Sequence, residues 1–270
     1  PPHAPPTPLL PAGAGVSRTG HPGEALGTLH TEAGFVVAGT DTDVGKTVLS
    51  AMGLNAIRRL GPAGYWKPVQ TGDDDDTQTV RRLAEAPGCE FAEPLRHYPL
   101  PASPHEAAAA AGTAVPVEEL TPALREILER DRSRRWIVEL AGGVLVPYRS
   151  DRTQLEWLRE FRFPLLLAVR SGLGTLNHTL LTVAACERAG LPIAALFLIG
   201  DPHPSNRRTL IEMTRVPHVF EVPRFEPLDS AAVEEWVSGS ASHAGKTLDA
   251  VLEEALVRRG AGDPTAEALR

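Results

Sequence analysis

The segment that decides the fold reads Gly39-Thr40-Asp41-Thr42-Asp43-Val44-Gly45-Lys46-Thr47. An apolar run at 35–38 precedes it, and a helical pattern at 47–60 follows it. A glycine-rich loop between a strand and a helix presents backbone N–H groups to a polyphosphate, and the helix N-terminus adds partial positive charge. We therefore predict a phosphate-binding loop in which Lys46 reaches the outer phosphates and Thr47 offers its hydroxyl to Mg²⁺.

The spacing of this loop departs from the usual pattern. Gly45 stands six positions after Gly39, whereas G-x-x-x-x-G-K-[ST] places its second glycine five positions after the first. The segment is therefore a P-loop variant. The same tripeptide recurs as Gly245-Lys246-Thr247 without a preceding strand or glycine loop. There we expect Thr247 to be an early helical residue and Lys246 to be solvated.

Strands and helices alternate along the chain on both sides of the loop. The predicted strands are 35–38, 65–69, 136–140, 164–169, 193–199 and 219–222. The predicted helices are 47–60, 77–85, 104–111, 121–130, 153–161, 175–189 and 205–214. This alternation predicts an α/β fold: a single P-loop NTPase-type domain with a mostly parallel sheet and helices on both faces. Ligands of such folds bind at the carboxyl ends of the strands.

The N-terminal segment differs in composition from the rest. Six prolines fall within its first eleven positions, and residues 1–33 carry no apolar periodicity. We predict that 1–33 is a disordered Pro-rich segment and that 34–270 forms the domain.

The composition and charge of the chain exclude some classes of function. The 270 residues are 42% hydrophobic with a net charge of −7, which argues against nucleic acid or an anionic membrane as the main partner. No apolar run approaches the roughly 18–20 residues of a membrane span. The two cysteines, Cys89 and Cys186, are far apart and fit neither a disulfide framework nor zinc spacing. A reducing cytoplasm is therefore the expected location.

Lysine is rare in this chain, since only Lys46, Lys67 and Lys246 occur among 27 basic residues. Lys67 begins the segment Lys67-Pro68-Val69-Gln70-Thr71-Gly72, and Pro68 favours extended backbone at Lys67. A lysine at a strand end near a P-loop can stabilise charge on a transferring phosphoryl group. A surface lysine at a strand terminus is the alternative.

Carboxylates follow two of the predicted strands. The acidic run 73–76 ends at Asp76, which could cap the next helix and also face Mg²⁺. Glu139 ends the buried strand 136–140, where a charge is costly unless it is paired or bound to metal. The glycines at 142–143 let backbone approach a ligand closely. The segment 172–178 opens another helix and could hold a carboxylate, or could simply be a capped helix start.

These motifs together resemble dethiobiotin synthetases, in the same order, over about residues 35–229. Residues 39–47 resemble the family's GTDTxVGKT loop, 67–72 its KPV-x-[ST]-G segment and 139–143 its EGAGG segment. Ser103-Pro104-His105, residues 174–178 and Glu221-Val222-Pro223 also match.

The resemblance implies a reaction. One amine of 7,8-diaminononanoate and CO₂ form a carbamate, which attacks the γ-phosphate of ATP to give a mixed anhydride. The second amine then closes a cyclic urea and expels phosphate. In this scheme Lys46 and Lys67 neutralise the phosphoryl and carbamate oxygens, and Thr42 and Thr71 position the carbamate.

The resemblance also implies binding sets. The metal set for Mg²⁺ is Thr47, Asp76 and Glu139. The nucleotide set is Asp43, Val44, Gly45, Lys46, Thr47, Val48, Asp76, Glu139, Leu140, Ala141, Gly142, Gly200, Asp201, Val222, Pro223 and Arg224. The family is a homodimer with its site at the interface. Gly174, Thr175, Leu176 and Asn177 would therefore bind the carboxylate of substrate held by the opposite subunit.

Two positions depart from the family pattern. Leu140 replaces a frequent glycine, and we expect it to crowd the loop. Gly200-Asp201 stands where many members have Asn-Asp reading adenine. The resemblance therefore leaves base selectivity open, with other nucleoside triphosphates able to serve.

Three other functions compete with this one. A related amidoligase would carry a glutaminase domain with a catalytic cysteine, and neither Cys89 nor Cys186 lies in such a motif. A partitioning-type ATPase switch would not need residues 67–72. A catalytically degenerate relative is the third, because of Leu140 and Gly200.

Overall fold

The computed structural model describes residues 33–260. Most of the segment predicted to be disordered (1–33) therefore lies outside the described residues, as does 261–270 of the predicted domain. Within the described range the strands are β1 Gly34–Gly39, β2 Ala63–Trp66, β3 Val69–Thr71, β4 Glu90–Ala92, β5 Arg96–Tyr98, β6 Arg135–Gly143, β7 Pro147–Arg149, β8 Arg152–Thr153, β9 Leu165–Arg170, β10 Ile193–Ile199 and β11 Val219–Val222. The α-helices are α1 Lys46–Ile57, α2 Asp76–Ala84, α3 Pro104–Ala110, α4 Val117–Arg130, α5 Gln154–Leu158, α6 Thr175–Arg188, α7 Pro204–Thr214, α8 Ser230–Gly239 and α9 Leu248–Gly260.

One seven-stranded sheet organises the domain, in the order β11-β10-β9-β1-β6-β2-β4. Every neighbouring pair in it is parallel. β1 lies in the middle, between β9 and β6, so its carboxyl end opens at the centre of one sheet edge. The predicted α/β P-loop NTPase-type fold with a parallel sheet is confirmed.

Helices cover both faces of the sheet, as predicted. On one face α1, α2, α8 and α9 bury Phe35, Val37 and Ile137. On the other, α3 to α7 bury Val36, Trp136 and Val138. Adjacent residues of a strand point to opposite faces, so each central strand is apolar on both sides. No helix in the described part of the chain is long and apolar enough to cross a membrane.

The predicted strand 65–69 is wrong in one respect that shapes the site. β2 ends at Trp66, and the chain leaves the main sheet at Lys67-Pro68. Val69–Thr71 then pairs with β5 in a separate two-stranded sheet. Because Pro68 has no N–H, it cannot continue a ladder on both sides. Because of this break, residues 67–72 form a separate segment beside the sheet edge, which we call the 67–72 wall.

Two predicted helix starts are also corrected. α4 begins at Val117 instead of residue 121, because Val117 and Leu120 add a buried first turn ahead of Pro122. The N-cap of α2 is Asp75, whose Oδ1 accepts the N–H of Gln78 at 2.9 Å. Asp76 is therefore the first helical residue, and its carboxylate is left for other contacts.

Candidate functional site

The loop from β1 to α1 holds the helix start at the central sheet edge. Gly45 precedes α1 with φ +93°, and no side chain caps the helix. A Cβ at Gly45 would lie 2.8 Å from Ile199 Cδ1 as well as in strained backbone. Lys46 is buried, and its Nζ donates to the carbonyl of Asp41 at 3.1 Å. The first N–H groups of α1 and the Lys46 ammonium thus converge on one place, as phosphate binding requires.

Next to this loop, Thr47, Lys67, Asp76 and Glu139 form one hydrogen-bonded cluster, which we call the floor cluster. Thr47 Oγ1 donates to Asp76 Oδ1 at 2.8 Å and lies 3.2 Å from Glu139 Oε1. Lys67 Nζ donates to Asp76 Oδ2 and, at 3.2 Å, to Glu139 Oε1. Residues from α1, the 67–72 wall, α2 and β6 therefore meet, although up to 92 positions separate them in the chain.

The charges of the cluster support each other. Burial acts to lower the pKa of Lys67, but the charges of Glu139 and Asp76 and the hydrogen bonds to them raise it above the ordinary value. Burial acts to raise the pKa of Asp76, but the Lys67 ammonium and the hydrogen bonds from Lys67 and Thr47 hold it below its usual value. Both groups therefore stay ionised at neutral pH. Lys46 differs, because burial lowers its pKa and Glu139 opposes this only in part.

Above the floor cluster lies a cleft of about 850 Å³. Twelve of the residues predicted from the sequence line it: Thr42, Asp43, Gly45, Lys46, Thr47, Val48, Lys67, Thr71, Asp76, Glu139, Ala141 and Gly142. Residues 101–104, which lead into the start of α3, also line it. The predicted catalytic and metal-binding side chains therefore face one shared space.

A second pocket of about 500 Å³ adjoins the cleft and shares Asp43 and Gly45 with it. It opens at the carboxyl ends of β9 and β10, and Val44, Gly200, Asp201 and Arg224 of the predicted set line it. Arg170 and His203 also line it. His203 Nδ1 accepts the N–H of Asn206 at 3.2 Å, so a neutral His203 carries its proton on Nε2. The pocket therefore has hydrogen-bond donors and one carboxylate acceptor beside the phosphate loop. A nucleobase carries hydrogen-bond donors and acceptors that could pair with these groups.

A side chain at Gly200 would be strained in this backbone. Its φ is +129°, and a Cβ there would lie 2.7 Å from Ser171 Oγ. The carboxamide of Asn206 does not replace the missing side chain, because its Nδ2 donates to the carbonyls of Ser171 and Gly172 at 2.8 and 3.1 Å.

Other predicted residues fall outside both pockets. Leu140 packs in the core on the opposite face of β6 from Glu139, so it does not crowd the loop. Val222 is buried within β11, and Pro223 is exposed beside Arg224. Residues 174–177 begin α6 and line neither space within one chain. Their predicted role toward the opposite subunit stays a prediction.

Three polar side chains near the site were not predicted. Ser50 and Tyr65 both contact Glu139 from within the core. Gln70 is buried and lines the cleft. Ser50 follows Thr47 by three positions on a helix and Tyr65 precedes Lys67 by two on an extended segment. These are same-face spacings that could have flagged both residues.

The donors of the metal set fit one mode of Mg²⁺ binding. No group of three or more His, Cys, Asp or Glu side chains within residues 33–260 could hold a metal by itself. The floor cluster instead offers two carboxylates and a hydroxyl next to a phosphate loop. Mg²⁺ is commonly bound by one or two carboxylates together with substrate phosphates. The residues present fit Mg²⁺ in that mode.

One family model and several known proteins match this chain. The AAA domain family matches residues 33–232. An ATP-dependent dethiobiotin synthetase of Afipia carboxidovorans is 36% identical over 201 residues, covering 74% of this chain and 91% of that protein. Another, from Rhizorhabdus wittichii, is 37% identical over 201 residues, with the same coverage of both chains. A bifunctional biotin biosynthesis protein of Bordetella avium is 34% identical over 231 residues, covering 84% of this chain and 46% of that protein.

Proposed function

Since the chain belongs to the dethiobiotin synthetase family, whose members are ATP-dependent synthetases of biotin biosynthesis, we propose how its residues carry out that reaction. The substrates are 7,8-diaminononanoate, CO₂ and ATP, and the products are dethiobiotin, ADP and phosphate. The observation that carries the proposal is the floor cluster, in which Lys67 joins Asp76 and Glu139 directly beside the phosphate loop.

Each residue has a distinct task in this proposal. The N–H groups at the start of α1 and the Lys46 ammonium hold the β- and γ-phosphates. Lys67 neutralises the carbamate and the transferring phosphoryl oxygens, which lowers the repulsion between two anions. Thr42 and Thr71, which both line the cleft, orient the carbamate by hydrogen bonds. Thr47, Asp76 and Glu139 hold Mg²⁺, which supplies positive charge to the phosphates.

We place the nucleobase in the second pocket. Arg170, Arg224 and His203 offer donors there and Asp201 an acceptor, and Gly200 contributes no side chain to reading the base. Selectivity for adenine then depends on these groups and on main-chain atoms, so CTP and GTP belong in every assay beside ATP.

A homodimer completes the proposal. Leu173, at 101% exposure, and Leu181 on α6 present bare apolar side chains close to residues 174–177. Burying this face between two copies would bring the α6 N-terminus of one chain to the cleft of the other. Leu181→Glu would then yield monomers in sedimentation and raise the KM for the diamine. A wild-type chain that sediments as a monomer under assay conditions refutes this arrangement.

The test is release of ADP and phosphate from the purified chain with Mg-ATP and bicarbonate, with and without 7,8-diaminononanoate. We expect strong stimulation by the diamine and dethiobiotin detected by mass spectrometry. Lys67→Met and Thr71→Val should lose this stimulation, whereas Lys246→Met, the matched surface lysine, should retain it. Hydrolysis indifferent to the diamine, with no dethiobiotin from ATP, CTP or GTP, would leave an ATPase switch or an inactive relative.

A further inference from the structure

The two oxygens of the Glu139 carboxylate face different surroundings. Oε1 lies on the cleft side, 3.2 Å from both Thr47 Oγ1 and Lys67 Nζ. Oε2 points into the protein, where Ser50 Oγ donates to it at 2.6 Å and Tyr65 Oη at 3.0 Å. One oxygen is therefore held by the scaffold while the other is left for the site.

Both donors are fixed by their own elements. Ser50 lies on α1 one turn after Thr47, and Tyr65 lies on β2 two residues before Lys67. Ser50, Tyr65 and Glu139 each have 0% exposed surface. The Tyr65 ring also packs against Phe91, with 6.2 Å between ring centroids. None of the three side chains can exchange its partner for bulk water without moving a core element.

The hydroxyl of Tyr65 stays a donor. A phenolic O–H is protonated at neutral pH, and Tyr65 Oη donates to Glu139 Oε2 at 3.0 Å. A buried carboxylate with an unsatisfied oxygen is strongly disfavoured, and these two hydroxyls remove that penalty. They also hold the carboxyl plane in one orientation.

We propose that Ser50 and Tyr65 are positioning residues for the metal site, which hold Oε2 of Glu139 so that Oε1 remains directed at the bound cation. This inference rests on the proposed role of Glu139 as a metal ligand. Residues that hydrogen-bond to a metal ligand and orient it tune the affinity for the metal. Their loss commonly lowers the metal affinity by about 10- to 100-fold. Neither residue lines the cleft, so their effect should reach the reaction only through the metal.

The test measures binding of Mn²⁺, as a stand-in for Mg²⁺, to the full chain with a non-hydrolysable ATP analogue, by electron paramagnetic resonance or calorimetry. Tyr65→Phe and Ser50→Ala should each weaken Mn²⁺ binding by about 10-fold or more. In steady-state assays the half-saturating metal concentration should rise, while kcat at saturating metal changes by less than about threefold. Adding Tyr65→Phe to Glu139→Gln should cause no further loss, because the oriented group is already gone.

The chain supplies matched controls. Tyr148 is also fully buried, and its hydroxyl has no hydrogen-bond partner within the described residues, so Tyr148→Phe reports the general effect of this change. Ser240 is buried and donates to the carbonyl of Val237, so Ser240→Ala reports loss of a structural serine. Both controls should keep wild-type Mn²⁺ affinity.

Each outcome decides the inference. Unchanged Mn²⁺ affinity in Tyr65→Phe and Ser50→Ala, with only the stability loss seen in the controls, would overturn it. A wild-type chain that binds no Mn²⁺ would overturn it together with its premise. Weakened Mn²⁺ binding in a chain that makes no dethiobiotin would support it while the proposed function fails, since the binding assay contains no diamine.

Discussion

Gly45-Lys46-Thr47 and Gly245-Lys246-Thr247 have the same residues and very different surroundings. Both glycines have positive φ, +93° and +74°, and both tripeptides lie at or just before a helix start. Lys46 is 8% exposed and follows the central strand of the sheet. Lys246 is exposed and pairs with Glu254 on α9. α9 begins at Leu248, so Thr247 directly precedes the helix instead of lying within it as predicted.

The difference shows where the chemistry of such a tripeptide originates. At Lys46, strand β1 delivers the loop to an edge where Lys67 and Glu139 also arrive, and burial removes most of the water. At Lys246, solvent screens the ion pair with Glu254, and exposed pairs of this kind contribute about 0–1 kcal/mol to stability. The preceding strand and the neighbouring charges, more than the three residues themselves, make a phosphate site.

The largest contrast should come from removing each lysine. Lys46→Met should lower diamine-dependent kcat/KM by about 10²- to 10³-fold, because a positioned charge on the phosphates is lost. Lys246→Met should stay within about twofold of wild type and change unfolding free energy by less than about 1 kcal/mol. ADP release measures the change in kcat/KM, and denaturant unfolding measures the change in unfolding free energy. Equal losses of activity in both variants would break the comparison.

The second largest contrast should come from replacing the carboxylates near Lys46 and Lys246. Glu139→Gln should raise the half-saturating Mg²⁺ concentration by about 10-fold or more, since a charged ligand becomes a neutral one. Glu254→Gln, beside Lys246, should leave it unchanged. Metal titrations of the steady-state rate measure both. If the glutamine at 139 is tolerated without a metal effect, Glu139 is only a structural partner of Lys67.

A smaller effect is expected from pH. Because burial lowers the pKa of Lys46 below the ordinary 10.5, Lys46 loses its charge at lower pH than an exposed lysine would. Affinity for an ATP analogue should therefore fall by about tenfold as the pH rises through that lowered pKa, the equivalent of one weakened charged hydrogen bond. In Lys46→Arg this alkaline fall should be absent, since a guanidinium stays charged. Calorimetric titrations at stepped pH provide the measurement.

The smallest effect concerns stability in acid. The pKa of Asp76 lies below its ordinary 3.8, so the unfolded chain takes up this proton first as the pH falls. The Lys67–Asp76 pair therefore contributes fully above the ordinary pKa, and its contribution is lost as pH falls through the lowered one. At neutral pH the free energy of unfolding of the wild type should exceed that of Asp76→Asn by on the order of 1 kcal/mol. A difference that persists unchanged in strong acid contradicts this assignment.

Much of the fold could be predicted because its signals are local. The strands 193–199 and 219–222 match β10 and β11 as predicted, since each is a short apolar run between turns. The break after Trp66 could not be predicted, because the new partner of Val69–Thr71 is β5, which no periodicity indicated. β4 was also missed, because Glu90–Ala92 has only three residues and is too short to show a strand pattern.

The site divides in a similar way. Lys46, Lys67, Asp76 and Glu139 could be predicted, because each stands at or near the end of a predicted strand or helix whose direction the pattern gives. The spacings of Ser50 from Thr47 and of Tyr65 from Lys67 could have placed both side chains on the same side as the site. The spacings could not show which oxygen of Glu139 each hydroxyl reaches after folding. Leu140 was misplaced although strand alternation could have placed it, since it directly follows Glu139 and so points to the opposite face of β6.

The complete burial of Glu139 has a consequence for how this protein can evolve. Replacing Glu139 and Lys67, together with their partners Asp76, Ser50 and Tyr65, by apolar side chains of similar size would remove desolvated charges without leaving a buried group unpaired. Such exchanges are often neutral or stabilising. The pair is then retained for its chemistry, at some expense of thermal robustness. Selection for heat tolerance and selection for turnover act in opposite directions on these two positions.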